Sequence, residues 1–266
     1  MPHRLKTLIL AFFLPCAALA APFVPTSDAQ VLERLPARAT DPRARELLQM
    51  RIEWRRDPKN VDAAVRLARR YFEEVAAQGD PRYIGYAQAA LQPWWDQAAP
   101  PPAVRVMRAL LLQFDHRFAP ALADLEAAVT AESDNAEAWS WRAAIHMVLA
   151  DLGAARQDCE RLAPLAPPLI GVACIAYVDA GTGRAGPAAK ALREALQRHP
   201  DAPAPERLWS LTRLAEIEER RGDYAATEAA FRQALALGVE DVYLQAAFAD
   251  FLLDRGRPAE VLALLK

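Results

Sequence analysis

The hydrophobic pattern over Leu211–Asp254 predicts a helix, a turn at Gly222-Asp223, a second helix, a turn, and a third helix. Apolar residues recur there at three- and four-residue steps, the period of a helix with one buried face. The same pattern returns along the chain. Ala68, Ala109, Ala143, Ala176, Ala215 and Ala249 form one column, with gaps of 41, 34, 33, 39 and 34 residues. Ala87, Ala121, Ala155, Ala188, Thr227 and Val261 form a second column, which follows the first by twelve residues in every unit but the first. Larger side chains lie four residues beyond it, at Leu91, Leu125, Cys159, Leu192, Phe231 and Leu265. Trp94, Ala128, Leu162, Ala195 and Ala234 come three residues later. Small residues at fixed phase let helix backbones approach, and a repeat of about 34 residues predicts a stack of helical pairs.

The residues around Leu211, Leu214, Ala215, Gly222-Asp223-Tyr224, Phe231 and Ala234 resemble the tetratricopeptide repeat family. Trp139, Ala143, Ala155 and Pro167 fit the same pattern, as do Ala176, Gly183, Ala188, Leu192 and Pro200. The departures are Ala in place of the first-helix Gly throughout, Thr227 for an Ala, and Cys159 for an aromatic residue. The resemblance implies an all-α, right-handed superhelical solenoid over residues 58–266, about six helical pairs with the last one short. An N-terminal cap helix is expected over 41–57, with Leu47, Leu48, Met50, Ile52 and Trp54 as its apolar stripe. Seven extra residues are expected inside the first unit around Glu74–Tyr83, and Asp201–Pro205 is expected to be a non-helical insertion.

Two segments precede the repeats. Residues 1–20 carry Arg4 and Lys6, then the apolar run Leu8–Leu14, then Ala18-Leu19-Ala20, the pattern of a cleaved signal peptide. The run is short of the ~20 residues that span a bilayer. It resembles a bacterial secretory leader, which implies a periplasmic or secreted protein. Residues 21–40 are rich in Pro and Ala and read as a mobile linker.

The formal charge of the 266-residue chain is −2, and −4 once Arg4 and Lys6 leave with the leader. That balance argues against nucleic-acid binding, which needs a basic surface. His116, His146 and His199 sit in different units with no partner at metal-ligand spacing. No zinc-protease helix, P-loop or serine-nucleophile elbow occurs. Gly181-Thr182-Gly183-Arg184-Ala185-Gly186 spells a dinucleotide fingerprint, and Val172–Val178 before it could be a strand. No second strand follows, and the glycines fall where a repeat needs its turn. The expectation is therefore no catalytic residue, no metal and no cofactor.

Cys159 falls on a second helix and Cys174 on the next first helix, with Pro164–Pro168 between them. The turn centre is equidistant from both, so an antiparallel hairpin would bring them together. An oxidising compartment permits a disulfide; two buried thiols are the alternative.

The resemblance also implies that the first helix of each pair lines the concave side. By repeat phase this groove takes Arg69, Phe72, Val106, Leu110, Gln113, Phe114, Ser140, Met147, Tyr177, Trp209, Thr212, Glu216, Glu219, Tyr243 and Asp250. It would hold a partner protein or an extended peptide with apolar side chains and a basic end. The second functional class is an envelope enzyme or accessory subunit with an unrecognised site. Leu262, Leu264 and Leu265 on a short last helix point to a further contact or self-association.

Overall fold

A computed structural model describes residues 41–78 and 80–265, together with Ser27 and Gln30. The leader, and all of the linker but Ser27 and Gln30, lie outside the described residues. The chain divides into Met1–Ala44 and Arg45–Lys266, and the repeats belong to the second unit. Every regular element among the described residues is helical, and no described helix is long and apolar enough to cross a membrane.

Helix α1 spans Pro42–Arg56 and presents Leu47, Met50 and Trp54 to the core behind it, while Leu48 is exposed. Six hairpins follow. They are α2 (Val61–Gln78) with α3 (Arg82–Ala90) and a short α4 (Gln92–Trp95); α5 (Pro102–Phe114) with α6 (Phe118–Ala131); and α7 (Ala136–Val148) with α8 (Leu152–Leu162). The rest are α9 (Pro168–Asp179) with α10 (Ala185–Arg198), α11 (Ala204–Arg220) with α12 (Tyr224–Leu235), and α13 (Val242–Asp254) with α14 (Pro258–Leu264).

Both alanine columns are buried from end to end, none of their members exceeding 8% exposure. Thr227 enters its column with its hydroxyl donating to the Asp223 carbonyl at 2.9 Å, which removes the cost of burying it. Leu265, the last of the large-residue column, is exposed.

Five hairpins turn in the same way. A residue with left-handed φ stands at His116, Ala150, Gly183, Gly222 and Gly256. At four of them the next amide donates back to a carbonyl five residues earlier: Arg117 to Leu112, Asp151 to His146, Asp223 to Glu218 and Arg257 to Leu252, at 2.8–3.0 Å. This helix-ending bond satisfies a carbonyl that the finished helix leaves free. Asp151 and Asp223 then accept from the amides of Ala154 and Ala226, starting the second helix within one residue of ending the first.

Three expectations are corrected in detail. The seven extra residues of the first unit are absorbed mainly as helix, since α2 runs to Gln78; seven residues are about two turns and keep the buried face in phase. Pro205 lies in the first turn of α11 rather than before it, where its missing N–H costs nothing. Leu264 is half-buried against the last hairpin instead of exposed.

Val172–Val178 lies within α9, and Gly183 takes φ 85° in the α9–α10 turn. The dinucleotide reading is therefore excluded: its strand is a helix.

Between α8 and α9 the chain is drawn tight. Cys159 and Cys174 form a disulfide with their Cα atoms 5.6 Å apart. Gly171 faces Ala163 so closely that a Cβ on it would stand 2.9 Å from the Ala163 Cα.

Two hairpins carry the same buried charge pair. Arg108 makes two bonds of 2.6 Å to Asp124 across α5–α6. Thirty-four residues later Arg142 and His146 hold Asp158 across α7–α8 at 3.1 and 2.8 Å. Asp158 is almost fully buried, and that burial pushes its carboxyl above the usual range, against the pull of Arg142 and His146.

Candidate groove on the first helices

Side chains from one face of the first helices join α2 to α5 and α7, and others join α11 to α9 and α13. The face divides into two parts of different character.

In the first part the chain's own side chains engage one another. Arg69 on α2 reaches past α5 to α7 and makes two bonds to Glu137, at 2.6 and 2.8 Å. Phe72 meets Phe114 of α5 and Trp141 of α7 edge-on, at 6.3 and 6.4 Å between centroids. Val106 and Leu110 are 2% exposed and belong to the core beneath. Gln113 is half-buried, Met147 packs against the disulfide cluster, and Phe114 and Ser140 remain open to solvent. Arg69 and Phe72 are thus held by α5 and α7.

The second part is a ladder of tyrosine and arginine. Arg213 of α11 lies between Tyr177 of α9 and Tyr243 of α13, 4.9 Å from each ring centroid. Arg220, seven residues on and so on the same helix face, covers Tyr177 at 4.5 Å and donates to its hydroxyl at 2.8 Å. Glu216 binds Arg213 at 2.9 Å and accepts from the Tyr243 hydroxyl at 2.6 Å. Burial raises the Tyr243 hydroxyl above its usual pKa, and the bond to Glu216 raises it further, so it stays a donor. Glu219 pairs with Arg255 at 3.4 Å, and Arg255 itself stacks on Tyr224 and Phe251. Trp209 is half-buried between two core clusters, and Asp250 is exposed. Thr212 is buried, with its hydroxyl donating to the Leu208 carbonyl at 2.8 Å.

Of the anticipated contact residues, Tyr177, Glu216 and Tyr243 are brought into one cluster around Arg213, whereas Glu219 pairs with Arg255, which lies over Tyr224 and Phe251. Val106, Leu110 and Thr212 are placed in the interior, because helix packing uses a wider arc than the alanine column alone marks out. Glu216 and Glu219 are engaged by the chain's own arginines, so the basis for a basic ligand end falls away there. The sequence reading missed Arg213, Arg220, Arg255 and Trp141. Arg213 and Arg220 stand three before and four after Glu216, a spacing that puts all three on one face.

No group of three or more His, Cys, Asp or Glu among the described residues is arranged to hold a metal ion. His146 faces Asp158 through Nδ1, and the neighbouring Cys159 is consumed in the disulfide. A shallow open cleft of about 460 Å³ lies elsewhere, lined by Ser133, Trp139, Arg161, Pro164 and Leu165. Trp139 donates there to the Ser133 carbonyl at 2.9 Å.

No family model matches the chain, and no curated protein matches it either. Solved structures do. A thermophilic TPR protein of Thermus thermophilus superposes with a TM-score of 0.57 at 17% identity, over 72% of this chain and 98% of that one. PilW, described as a type IV pilus biogenesis factor, gives 0.55 at 14% identity, over 76% and 89%. Pseudomonas aeruginosa pilF gives 0.52 at 11% identity, over 76% and 87%. At such identities the likeness carries the fold alone, an all-α solenoid of tetratricopeptide type.

Proposed function

We propose that this tetratricopeptide-fold chain is a non-enzymatic scaffold that holds an extended segment of a partner protein on the face of α9, α11 and α13. The observation that carries this is the Tyr177–Arg213–Tyr243 ladder. It joins three successive first helices, and Tyr243 stays 54% exposed. Tyrosine and arginine are the side chains that dominate protein contacts, since each offers a large flat face with a polar edge. Glu216 pairs with Arg213 and accepts from the Tyr243 hydroxyl, which ties two members of the ladder together. Arg69 and Phe72 serve the other half by holding α2, α5 and α7 together, while Phe114 and Ser140 remain available there. The Cys159–Cys174 disulfide and the leader both favour a working place outside the cytoplasm, in the periplasm of a bacterium. A second contact, or self-association, is proposed at the last hairpin, where Leu253, Leu262 and Leu265 are all more than half exposed.

The test replaces Tyr177 and Tyr243 by Ala together and compares partner capture from a periplasmic extract, with helical content measured alongside. Loss of a stoichiometric partner at unchanged helicity supports the reading. Undiminished capture refutes it.

A further inference from the structure

The chain as a whole is acidic, yet helix α1 gathers positive charge on one face. Leu47, Met50 and Trp54 turn its inner side to the core. Both of its glutamates lie on one flank of that side, where Glu53 pairs with Arg66 of α2 at 2.6 Å and Glu46 stands 3.6 Å from Arg70. The outer arc holds Arg45, Leu48, Arg51, Ile52, Arg55 and Arg56 and no acid, at the three- and four-residue steps that keep side chains on one side of a helix. All four of these arginines are exposed, and none makes an ion pair with a described residue, whereas Arg66 and Arg70 do. Arg51 and Arg55 are four apart, a like-charge spacing that disfavours a helix in isolation. Leu48 between them is 49% exposed. Arg51 and Arg55 also stand near Tyr71 of α2: burial raises its hydroxyl pKa, and the two cations pull it back down. Tyr86 of α3, its ring 5.6 Å from that of Tyr71, is 52% exposed.

We infer that the outer face of α1 rests on an anionic phospholipid surface, held by Arg45, Arg51, Arg55 and Arg56 with Leu48 at the acyl boundary. Charge complementarity chooses the occupant. Residues 21–40 cannot answer the charge, because Asp28 and Glu33 are matched there by Arg34 and Arg38. Asp57, just past the helix, accepts from the Lys59 amide, and the Lys59 charge offsets it. An acidic protein would need the cations alone. A lipid surface also uses what lies between them: guanidiniums reach the phosphates while their stems, Leu48 and Ile52 face the acyl boundary. A tyrosine at the rim, as Tyr86 is, suits the headgroup level. The tyrosine ladder takes no part in this face, so the inference stands apart from the groove.

The test is co-sedimentation of the full chain with vesicles of mixed phosphatidylglycerol and phosphatidylcholine, against vesicles of phosphatidylcholine alone. The anionic vesicles should bind more tightly, and the excess should shrink as salt rises. Each arginine should contribute about fivefold, so Arg51→Gln/Arg55→Gln and Arg45→Gln/Arg56→Gln should each cut the affinity about 25-fold. Leu48→Ser should weaken it severalfold, an effect that charge pairing alone would not give. Arg161→Gln/Arg198→Gln removes as much charge from exposed positions on α8 and α10 and should leave binding unchanged. The substituted side chains are all exposed, so helical content should stay at the wild-type level throughout. Equal binding to both kinds of vesicle overturns the inference. So does a loss from the α1 pairs no larger than that from the α8–α10 pair. Tighter binding to polyglutamate than to the anionic vesicles also overturns it, and would give the face to an acidic protein.

Discussion

Removing the Cys159–Cys174 bond should loosen the join between the third and fourth repeats of the stack, counting from α5–α6 as the second. The two cysteines are 15 residues apart, a loop for which chain entropy gives about 3 kcal/mol. Both sulfurs are buried, Cys159 fully and Cys174 to within 3% exposure. Reductant should therefore reach the bond only when α8 and α9 part. Gly171 against Ala163 shows that the helices already touch at backbone level, so the bond closes a contact made by packing rather than spanning a gap. In a solenoid each repeat is held by its neighbours, and a weakened join lowers the stability of the whole array. With about 3 kcal/mol lost, the melting temperature should fall by about 6–12 °C for a domain of this size. The assay is thermal unfolding by circular dichroism of the oxidised protein, the protein reduced in urea and refolded in reductant, and the Cys159→Ala/Cys174→Ala variant. Dithiothreitol without denaturant should leave the bond intact. Coincident melts for the oxidised and reduced proteins, or rapid reduction under native conditions, would refute the reasoning.

Four further expectations follow from the packing. Ala150→Gly should raise stability by about 0.5–1 kcal/mol by relieving left-handed strain, checked by urea unfolding; a loss would mean the turn tolerates alanine without cost. Gly171→Ala should cost about 1–3 kcal/mol, because the new Cβ meets backbone and not a movable side chain. Asp124→Ala removes the buried acid from the part-buried Arg108, which keeps only the Trp95 and Gln97 carbonyls, and should cost about 3 kcal/mol, read from the same unfolding curves. The bonds from Arg257, then Arg232, lower the Glu228 carboxyl from 4.5 to about 2. Its stabilisation is thus complete above pH ~4.5 and is lost as pH falls toward ~2. Glu228→Gln should cost about 1 kcal/mol at pH 7 and nothing at pH 2.

The repeats were legible because small residues at a fixed phase must be buried wherever helices touch, and all twelve column positions are. The disulfide was legible for a related reason, since hairpin symmetry about Pro164–Pro168 pairs the two cysteines. The shared turn was only half visible. Gly183, Gly222 and Gly256 announce a left-handed residue, whereas His116 and Ala150 adopt it against their own preference, imposed by the hairpins on either side. The groove was least legible. Repeat phase says which helix faces inward but not how wide the packed arc is, so Val106, Leu110 and Thr212 were read as surface. The Arg69–Glu137 bond joins residues 68 apart and depends on how the repeats coil, which no local pattern encodes. Arg213 and Arg220 carry a signal in their spacing around Glu216, but charge on a helix ordinarily means a solvated face.

The central claim is that a partner lies along α9, α11 and α13. Site-specific photocrosslinking tests it most directly, with the photoreactive residue placed in turn at Tyr177, Glu216 and Tyr243, and for comparison at Glu194, Gln197 and Gln233 on the second helices α10 and α12. The account predicts one partner captured from the first three positions and not from the other three. Equal capture from both sets, or capture from the second helices alone, would contradict it.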